Sequence, residues 1–307
     1  MTAERSLPRS ASGPAPAPQR RRRARGVMLR DGRRIGKREL IVRYVLLIAV
    51  TVLMIGPFVW QFLTSLKGVG DDLYAMPPVW LPHPPTWHNY SRVFEIVPVL
   101  RFVLNSLVVA VVSVVLNVAG SAMAGYALAR LRFRGRRLAL AVFVGAILIP
   151  GEASIIALVQ FINQVHLTNT LVAVILPTCI SALNVLLMRN AFLALPYEID
   201  EAAVIDGANA FRRFISVAVP SVIGTLTVVG LLSFIGAWDD FLWPLLVLTD
   251  SDKYTLTIGL NYLQGTFAND PRVIAAGTII AVAPLIVLFL IMQRHFFKGI
   301  GEGAVKG

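Results

Sequence analysis

Long apolar runs separated by short polar stretches dominate this 307-residue sequence. A helix needs about 20 predominantly apolar residues to cross the roughly 30 Å hydrocarbon layer of a membrane. Six runs meet this requirement, approximately at 41–66, 102–127, 138–158, 169–188, 221–248 and 273–292. The pattern therefore predicts an all-α membrane protein with six transmembrane helices.

Two of the runs depart from a simple span. The fourth is the most polar, since it contains Pro177, Thr178, Ser181 and Asn184. The fifth is long enough to tilt in the membrane or to begin as a helix at the interface. The apolar signal is therefore weakest in the fourth run.

Small residues in the second run predict close helix packing. Gly120 and Ala124 lie four residues apart, as do Ser121 and Gly125. Pairs of small residues at this spacing let the backbones of two membrane helices approach each other. We expect packing to be the main role of these four positions.

The composition supports a membrane protein. Hydrophobic residues make up 56% of the chain and charged residues 15%, whereas soluble proteins average about 45–50% and about 25%. The net charge of +12 does not indicate a nucleic-acid-binding surface, because 12 of the 29 Lys and Arg residues lie in the first 40 positions. Cys179 is the only cysteine, which excludes an internal disulfide and a cysteine-ligated metal cluster.

The distribution of positive charge predicts the orientation, because Lys and Arg are retained on the cytoplasmic side of a membrane. If the N-terminus is cytoplasmic, the inner segments hold 23 of the 29 basic residues. These segments are 1–40, 128–137, 189–220 and 293–307. We therefore expect a multi-pass protein of the cell (inner or cytoplasmic) membrane with both termini in the cytoplasm.

Polar residues inside the runs are candidates for a watery pathway or a gate. In the third run, "LIPGEAS" places Pro150 and Glu152 within the predicted span. A charge near the bilayer centre costs at least about 2.5–3.5 kcal/mol, so Glu152 should face the bundle interior or a watery path. The alternative is a kinked helix whose acid reaches the outer interface. Asn184 in the fourth run is a further pathway candidate.

The fifth run ends in "GAWDDFLWPLLVL". Trp238 and Trp243 suit the outer membrane interface, where Asp239 and Asp240 should emerge beside them. The two aspartates are either plain interfacial residues or contacts to a cavity or partner, which makes them pathway or gate candidates as well. Since no other span carries a second acidic cluster, we expect no metal site and no cofactor in this chain.

A polar segment, residues 195–220, separates the fourth and fifth runs. Pro196 suits a first helical position, and the acids at 198, 200 and 201 suit the positive end of a helix dipole. Ala202 and Ala203 leave a low-profile face, and Gly207 can end the helix in a left-handed conformation. Such a helix fits a groove on another protein, although the residues alone also allow a solvated amphipathic loop.

The segment "EAAVIDGANAFRRFISVAVP" resembles the EAA signature of ABC importer permeases, EAA-x3-G-x9-I-x-L-P. The matching residues are Glu201, Ala202, Ala203, Gly207 and Pro220, while Val217 and Val219 stand where Ile and Leu are usual. The flanks "NSLVVA", "AGYALARLRFRGR", "NTLVAVILP", "WDDFLWPLLVL" and "GAVKG" resemble the permeases of carbohydrate-uptake ABC systems. The maltose-type second subunit is the most similar subgroup, and the likeness covers roughly residues 45–307.

The resemblance implies a type I ABC importer permease fold with a cytoplasmic coupling helix. It also implies four kinds of partner: a homologous permease in a heterodimer, two cytoplasmic ATPase subunits, an extracytoplasmic solute-binding protein and membrane lipid. Carried over by position, Glu201, Ala202, Ala203 and Gly207 form the core of the ATPase contact. We add Asp206 on physical grounds, as a charge at its rim. The chain itself is then not an enzyme, because ATP is hydrolysed by its partners.

The implied domain organisation has four parts. A disordered basic cytoplasmic tail (1–40) attracted to anionic lipid precedes the first transmembrane helix and its outer loop (41–101). The permease core (102–293) contains the EAA loop at 195–220, and a cytoplasmic tail (294–307) follows.

Two alternative interpretations remain, one that changes the transported solute and one that changes the function. A permease of the same fold could carry another solute, such as glycerol phosphate, a polyol or an amino acid. A membrane-embedded enzyme would instead use Glu152 or the pair Asp239 and Asp240 as its acid groups.

Overall fold

The computed structural model describes residues 36–264 and 270–304, with side chains described up to position 293. Fourteen α-helices occur in these residues, and no β-strand does. They are α1 Lys37–Ser65, α2 His88–Ile96, α3 Val99–Arg130, α4 Arg136–Leu148, α5 Ile155–Gln164, α6 Leu171–Ile175, α7 Ala182–Leu193, α8 Tyr197–Ile205, α9 Ala210–Arg213, α10 Val219–Ser221, α11 Ile223–Asp239, α12 Leu242–Val247, α13 Leu256–Asn261 and α14 Pro271–Ala304.

Three of the helices, α1, α3 and α14, are each long and apolar enough to cross a membrane without interruption. Three further spans are bent pairs of helical segments, with bends of 97°, 43° and 82°. They are Arg136–Leu148 with Gly151–Gln164, Leu171–Thr178 with Ala182–Leu193, and Ala210–Ser221 with Ile223–Asp239. Six spans result if each pair counts as one, which is the number that the hydrophobic pattern predicts.

The third run, 138–158, forms a sharply bent span rather than one continuous helix. Helix α4 ends at Leu148, and the chain turns by 97° before it continues into α5. Pro150 explains the break, because it cannot donate a helix hydrogen bond and it favours an extended conformation in the residue before it. Ile149 has that conformation, with φ −90° and ψ 117°.

The fifth run is also not one tilted helix. A helical segment, Ala210–Ser221, meets α11 at 82°, and α11 ends at Asp239 before the separate α12 begins. The first segment includes one π-helical turn, Phe214–Ala218. Of the two arrangements that the length of the run allows, the structure shows a preceding helix that leads into the span.

Helix α3 is the central element, and it packs most extensively against α7 and α11. Gly125 lies where α3 and α7 approach most closely: a Cβ there would be 2.7 Å from Met188 Cβ and 2.8 Å from the backbone nitrogen of Arg189. At Gly120 a Cβ would be 3.0 Å from a side-chain carbon of Ile180. The prediction that these small residues serve close packing is confirmed.

Polar side chains inside the apolar bundle pair with one another across three helices. The amide nitrogen of Asn117 on α3 donates to the carbonyl of Thr178 (2.9 Å), and its oxygen accepts from Asn184 Nδ2 of α7 (2.8 Å). Asn184 also donates to Ser233 Oγ of α11 (3.1 Å), and Ser113 Oγ lies 2.6 Å from Thr178 Oγ1. These bonds satisfy polar groups beside the break in the fourth span, where lipid could not.

The sequence predicts Trp238 and Trp243 at the outer membrane interface, and this prediction is wrong. Both indoles are buried in the protein. The N–H of Trp238 donates to the carbonyl of Ala281 (3.1 Å), and that of Trp243 donates to the carbonyl of Ala173 (3.0 Å). A buried indole needs a partner for its single N–H, and helix carbonyls supply it here.

The segment between α1 and α3 folds around Lys67, which is buried. Its Nζ donates to the carbonyl of Val79 (2.6 Å) and lies 4.6 Å from the ring centre of Trp60. Asn89 on α2 donates to the carbonyl of Lys67 (2.9 Å). The hydrophobic pattern predicts only a loop over 67–101 and misses α2, because a nine-residue helix with few apolar positions carries no spanning signal.

Residues 36–57 form a separate unit, which contains most of α1. Between positions 41 and 55 its side chains are nearly all apolar and exposed. Near its start, Arg43 Nη2 lies 2.5 Å from Glu39 Oε1, one turn away. Exposed apolar side chains of this kind are typical of a helix surrounded by lipid.

Gly125→Val should lower the free energy of unfolding of the purified protein by about 1–3 kcal/mol, because the added atoms meet the backbone of α7. The measurement is denaturant unfolding in detergent micelles, followed by tryptophan fluorescence. Gly145→Val on α4 is the matched control, since a Cβ at Gly145 meets nothing within 4 Å. Equal stability of the two variants would contradict the close approach of α3 and α7.

Candidate functional site

The polar segment at 195–220 contains α8, and Gly207 ends this helix as the sequence predicts. The prediction that Pro196 is the first helical residue is wrong by one position. Pro196 precedes the first helical residue, with φ −57° and ψ 141°. Gly207 is left-handed, with φ +76°. The N–H of Ala208 donates to the carbonyl of Ala203 (2.9 Å), and the N–H of Gly207 donates to the carbonyl of Val204 (3.0 Å). This pair of bonds is the Schellman motif, so a glycine at 207 ends the helix without strain.

One face of α8 is exposed and mixed in character. Glu201, Ala202 and Asp206 are exposed there, as is Gly207 just beyond the helix, while Ala203 is half-buried. Ile205 is 86% exposed, and it was not among the sequence-predicted contact residues. Val204 beside it is 53% exposed, so two neighbouring apolar side chains lie on the surface here.

The opposite face of α8 is fixed to the bundle by Arg130, the last residue of α3. The Nη1 of Arg130 lies 3.2 Å from Asp200 Oδ2, and the exposed fractions of the two side chains are 4% and 16%. The same guanidinium lies over the ring of Tyr197, 4.5 Å from its centre. Its Nε and Nη2 donate to the carbonyl of Phe192 (3.1 and 2.7 Å), and Nη2 also donates to that of Leu195 (2.5 Å).

Sequence reasoning missed Arg130. The only signal is that "AGYALAR" ends an apolar run with an arginine, which the charge distribution explains as one more cytoplasmic residue. The carboxylate and carbonyls that it binds lie more than 60 positions away in the chain.

Aromatic rings extend this junction beneath α8. Tyr126, one turn before Arg130 on α3, packs edge-on against Phe192 of α7 with ring centres 5.4 Å apart. It also packs against Phe214 in the π-helical turn, with ring centres 5.1 Å apart. The end of α3 is therefore in contact with the elements that precede and follow α8.

The pathway or gate candidates are not brought together in one place. Pro150 and Glu152 lie at the 97° bend, and Glu152 is exposed in a 3₁₀ turn, Gly151–Ser154, rather than inside a continuous helix. Asn184 is buried and hydrogen-bonded to Asn117 and Ser233. It therefore joins helices within this chain, and its amide nitrogen already has two partners.

Asp239 and Asp240, at the end of α11, differ in their surroundings. Asp240 Oδ1 accepts from the backbone N–H of Trp243 (3.3 Å), and the Asp240 carbonyl accepts from Thr257 Oγ1 (2.8 Å). Asp239 is exposed and lines a cavity of about 320 Å³. The other polar residues lining that cavity are Thr257, Asn261, Gln264 and Thr278. Carboxylate, amide and hydroxyl groups around one aromatic residue, Phe241, can hydrogen-bond a polar solute.

Asn169 holds together the end of the bundle opposite to Arg130. Its Oδ1 accepts from the backbone nitrogens of Thr249 (3.2 Å) and Asp250 (3.1 Å), and its amide nitrogen donates to the Asp250 carboxylate. This hydrogen bond from Asn169, together with that from Lys253, lowers the pKa of Asp250 below its ordinary value. The loop after α12 is thus held in one conformation by the residue that precedes the fourth span.

A second cavity, of about 620 Å³, adjoins that loop. Tyr254 and Tyr262 stack at its edge, with ring centres 5.5 Å apart and 17° between the planes. Arg101 Nη1 lies 2.6 Å from Asp252 Oδ1 nearby, between exposed side chains. Within residues 36–264 and 270–293, no three His, Cys, Asp or Glu side chains are grouped so as to hold a metal ion.

Three relatives of this chain are permease proteins of transport or uptake systems. The sulfoquinovosyl glycerol transport system permease protein SmoH of Agrobacterium fabrum is 32% identical over 85% of this chain and 93% of its own. The arabinooligosaccharides transport system permease protein AraQ of Halalkalibacterium halodurans is 36% identical over 66% and 73%. The diacetylchitobiose uptake system permease protein DasC of Streptomyces coelicolor is 31% identical over 88% and 100%.

A solved structure shows the same fold. It is a crystal structure of a bacterial ABC transporter involved in the import of the acidic polysaccharide alginate. One of its chains superposes with a TM-score of 0.75 at 22% identity, over 85% of this chain and 99% of that one. The predicted importer permease fold is thereby confirmed.

A family model covers the part of the chain that contains α8, the polar pairs of the bundle and the Asp239 cavity. It matches residues 117–302, which is more than half of the sequence. The chain belongs to the family of binding-protein-dependent transport system inner membrane components, which are membrane permeases.

Proposed function

We propose that this permease carries a carbohydrate as one subunit of an ATP-driven importer. The observation that carries the substrate class is the identity of the relatives, whose names specify sulfoquinovosyl glycerol, arabinooligosaccharides and diacetylchitobiose. The other subunits in this proposal are a homologous permease in a heterodimer, two cytoplasmic ATPases and an extracytoplasmic solute-binding protein.

The proposed orientation places α8 on the cytoplasmic side of the cell membrane. The loops on that side of the topology carry the excess of Lys and Arg, which favours retention in the cytoplasm. The N-terminal 35 residues lie outside the described part of the chain. Residues 37–40, which the predicted domain division assigns to the tail, already belong to α1. We propose that the segment 1–40 contacts anionic lipid through its 12 basic residues.

In the proposed mechanism α8 is the coupling helix. Its exposed face, from Glu201 to Gly207, docks in a cleft of an ATPase subunit, where Ala202 allows close approach and Glu201 and Asp206 form rim ion pairs. The exposure of Ile205 supports this, because an apolar side chain there gains most from being covered.

ATP binding then changes the conformation of the spans through these docked helices. Closure of the ATPase dimer draws the docked helices together and shifts the permeases from inward- to outward-facing. ATP can move this equilibrium only through its different affinity for the two states, and a shift from 1:99 to 99:1 requires about 5.5 kcal/mol.

Asp239 is the residue that we propose to contact the solute. It lines a cavity whose carboxylate, amide and hydroxyl groups suit the hydroxyls of a carbohydrate, and Phe241 offers an apolar face to a sugar ring. Asp240 supports this site from beside it, through its bonds to Trp243 and Thr257. The cavity lies at the end of α11 that the charge distribution places outside.

The bend at Pro150 is the proposed gate. Two helices that meet at 97° around an extended residue can change their angle without breaking internal helix hydrogen bonds. Glu152 is exposed at this bend, where a second permease can reach it. Asn184 keeps the neighbouring fourth span fixed to α3 and α11 during that change.

The outer loops, 67–101 and 249–272, are the proposed contact with the solute-binding protein. The stacked pair Tyr254 and Tyr262 lines a cavity of about 620 Å³ on this side. Tyrosines of this kind are enriched where proteins bind each other, because their rings are large and rigid.

Labelling of introduced thiols should confirm the orientation. In a Cys179→Ser background, Tyr74→Cys should react with a membrane-impermeant maleimide in spheroplasts, because Tyr74 is 81% exposed in the outer segment. Glu198→Cys on α8 should react only in inside-out vesicles stripped of peripheral subunits. The reverse pattern would contradict the cytoplasmic position of α8 and with it the coupling proposal.

Glu201→Lys should abolish ATP-driven uptake and lower co-purification of the ATPase subunits by tenfold or more, since it reverses a rim charge. The amount of permease in the membrane should not change. Glu95→Lys, the same charge change on the exposed face of α2, is the control and should retain ATPase association. Normal ATPase association of Glu201→Lys would show that α8 is not the coupling helix.

Asp239→Asn should raise the KM for uptake by about tenfold, which corresponds to the loss of one charged hydrogen bond of about 1.4 kcal/mol. Uptake is measured in cells that contain the complete transporter, with a panel of oligosaccharides, polyols, glycerol phosphate and amino acids. Asp240→Asn is the control, because its side-chain oxygen can still accept from Trp243 and does not line the cavity. Uptake of amino acids alone by the wild-type protein would contradict the substrate class.

A further inference from the structure

The guanidinium of Arg130 is buried at the point where three elements of the structure meet. Only 4% of its side chain is exposed. Burial of an arginine costs several kcal/mol unless its charge and its N–H groups find partners. Contacts between exposed loops would not offset that cost. The buried position of this charge must therefore be explained by specific partners.

The partners of Arg130 belong to α7, to the connection after it and to α8. Phe192 and Leu195 supply carbonyl oxygens at and just beyond the end of α7. Asp200 supplies a carboxylate 3.2 Å away on α8, and Tyr197 on the same helix supplies an aromatic face 4.5 Å away. The planar guanidinium of one side chain therefore contacts the end of α7, the start of α8 and the connection between them.

The remainder of α8 has little else to hold it. Apart from Asp200 and Ala203, its residues are exposed. Among the described residues, Asp200 is the α8 side chain that forms an ion pair. A helix attached only by its short connections would tilt independently when a partner pulled on it, whereas the Arg130 contacts bind it to α3.

Helix α3 connects the Arg130 contacts with α8 to the interior of the bundle. Arg130 ends this 32-residue helix, which is about 48 Å long at 1.5 Å per residue. In its middle, Asn117 is hydrogen-bonded to the fourth span at Thr178 and Asn184. A displacement of α8 that is transmitted through Arg130 therefore reaches the second and fourth spans together.

We propose that Arg130 is a positioning residue for transport. Its ion pair with Asp200 makes α8 and α3 move as one body. Closure of the ATPase dimer therefore changes the conformation of the spans only while this pair is intact. This inference rests on the proposed function of α8 as the coupling helix, and adds to it a role for two residues outside the EAA signature positions.

A purely structural role for Arg130 would be the capping of α7, because it donates to the carbonyls of Phe192 and Leu195. Arg136 shows what capping without a contact to α8 looks like, at the end of α3. Arg136 Nε donates to the carbonyl of Leu128 (2.9 Å), and its Nη2 donates to that of Ala129 (3.2 Å). Both carbonyls belong to the last turn of α3 itself. Arg136 therefore stabilises the same helix end without a contact to α8, and it serves as the matched control.

The experiment measures coupling in proteoliposomes that contain the complete transporter and its solute-binding protein. Three quantities are recorded: ATPase association, ATP hydrolysis and solute transported per ATP hydrolysed. Arg130→Gln should retain ATPase association within twofold and hydrolyse ATP, while the solute transported per ATP falls by tenfold or more. Asp200→Asn should lower the same ratio, and the double variant should be no worse than Arg130→Gln.

Asp200→Asn keeps the test decisive if Arg130→Gln does not fold, because it removes only the charge of a nearly isosteric side chain. Arg136→Gln should leave the ratio unchanged. A wild-type ratio in Asp200→Asn, or an equal fall in Arg136→Gln, would overturn the proposal.

The failure of this inference is distinguishable from the failure of the coupling assignment. If Glu201→Lys disrupts ATPase association while the Arg130 and Asp200 variants couple normally, α8 is the coupling helix but Arg130 does not transmit its movement. If Glu201→Lys leaves association intact, the coupling assignment itself is wrong, and the role of Arg130 that rests on it is also wrong.

Discussion

Asn117 forms the interaction on which the bundle depends. A membrane offers no water to polar groups, so each break in a helix must be repaired by the protein itself. The fourth span is broken beside Thr178, and the amide of Asn117 donates to its carbonyl there while accepting from Asn184. This one side chain thereby fixes a broken span against α3, and Asn184 extends the contact to Ser233 of α11.

Because α3 is held in its middle, its two ends can serve different tasks. At its C-terminal end Arg130 donates to carbonyls at and just beyond the end of α7 and forms an ion pair with Asp200, beside the exposed face of α8. At its other end Arg101 pairs with Asp252, next to a cavity edged by stacked tyrosines. In the function that we propose, the permease connects an ATPase on one side of the membrane to a solute on the other. A single long helix with polar contacts at each end and in its middle suits that task.

The sequence and the structure agree best where the physics is local. The exposed face of α8 and its left-handed glycine could be predicted, because Pro196, Gly207 and the acids between them act through the helix backbone beside them. Close packing at Gly125 could be predicted for a similar reason, since a missing side chain permits contact whatever the partner is. The Asp239 cavity could not, because its polar lining comes from separate helical segments between positions 239 and 278 that only the tertiary fold arranges around one space.

The sequence by itself determined that this chain spans a membrane, how many apolar runs it has and where a polar helix interrupts them, because hydrophobicity and helix capping are properties of neighbouring residues. Only the tertiary structure decided that Pro150 turns the chain by 97° and that Trp238 and Trp243 are buried rather than interfacial. It also decided that Arg130 binds Asp200. A charge or an indole N–H can be buried only when a partner lies opposite to it, and those partners lie more than 40 residues away along the chain.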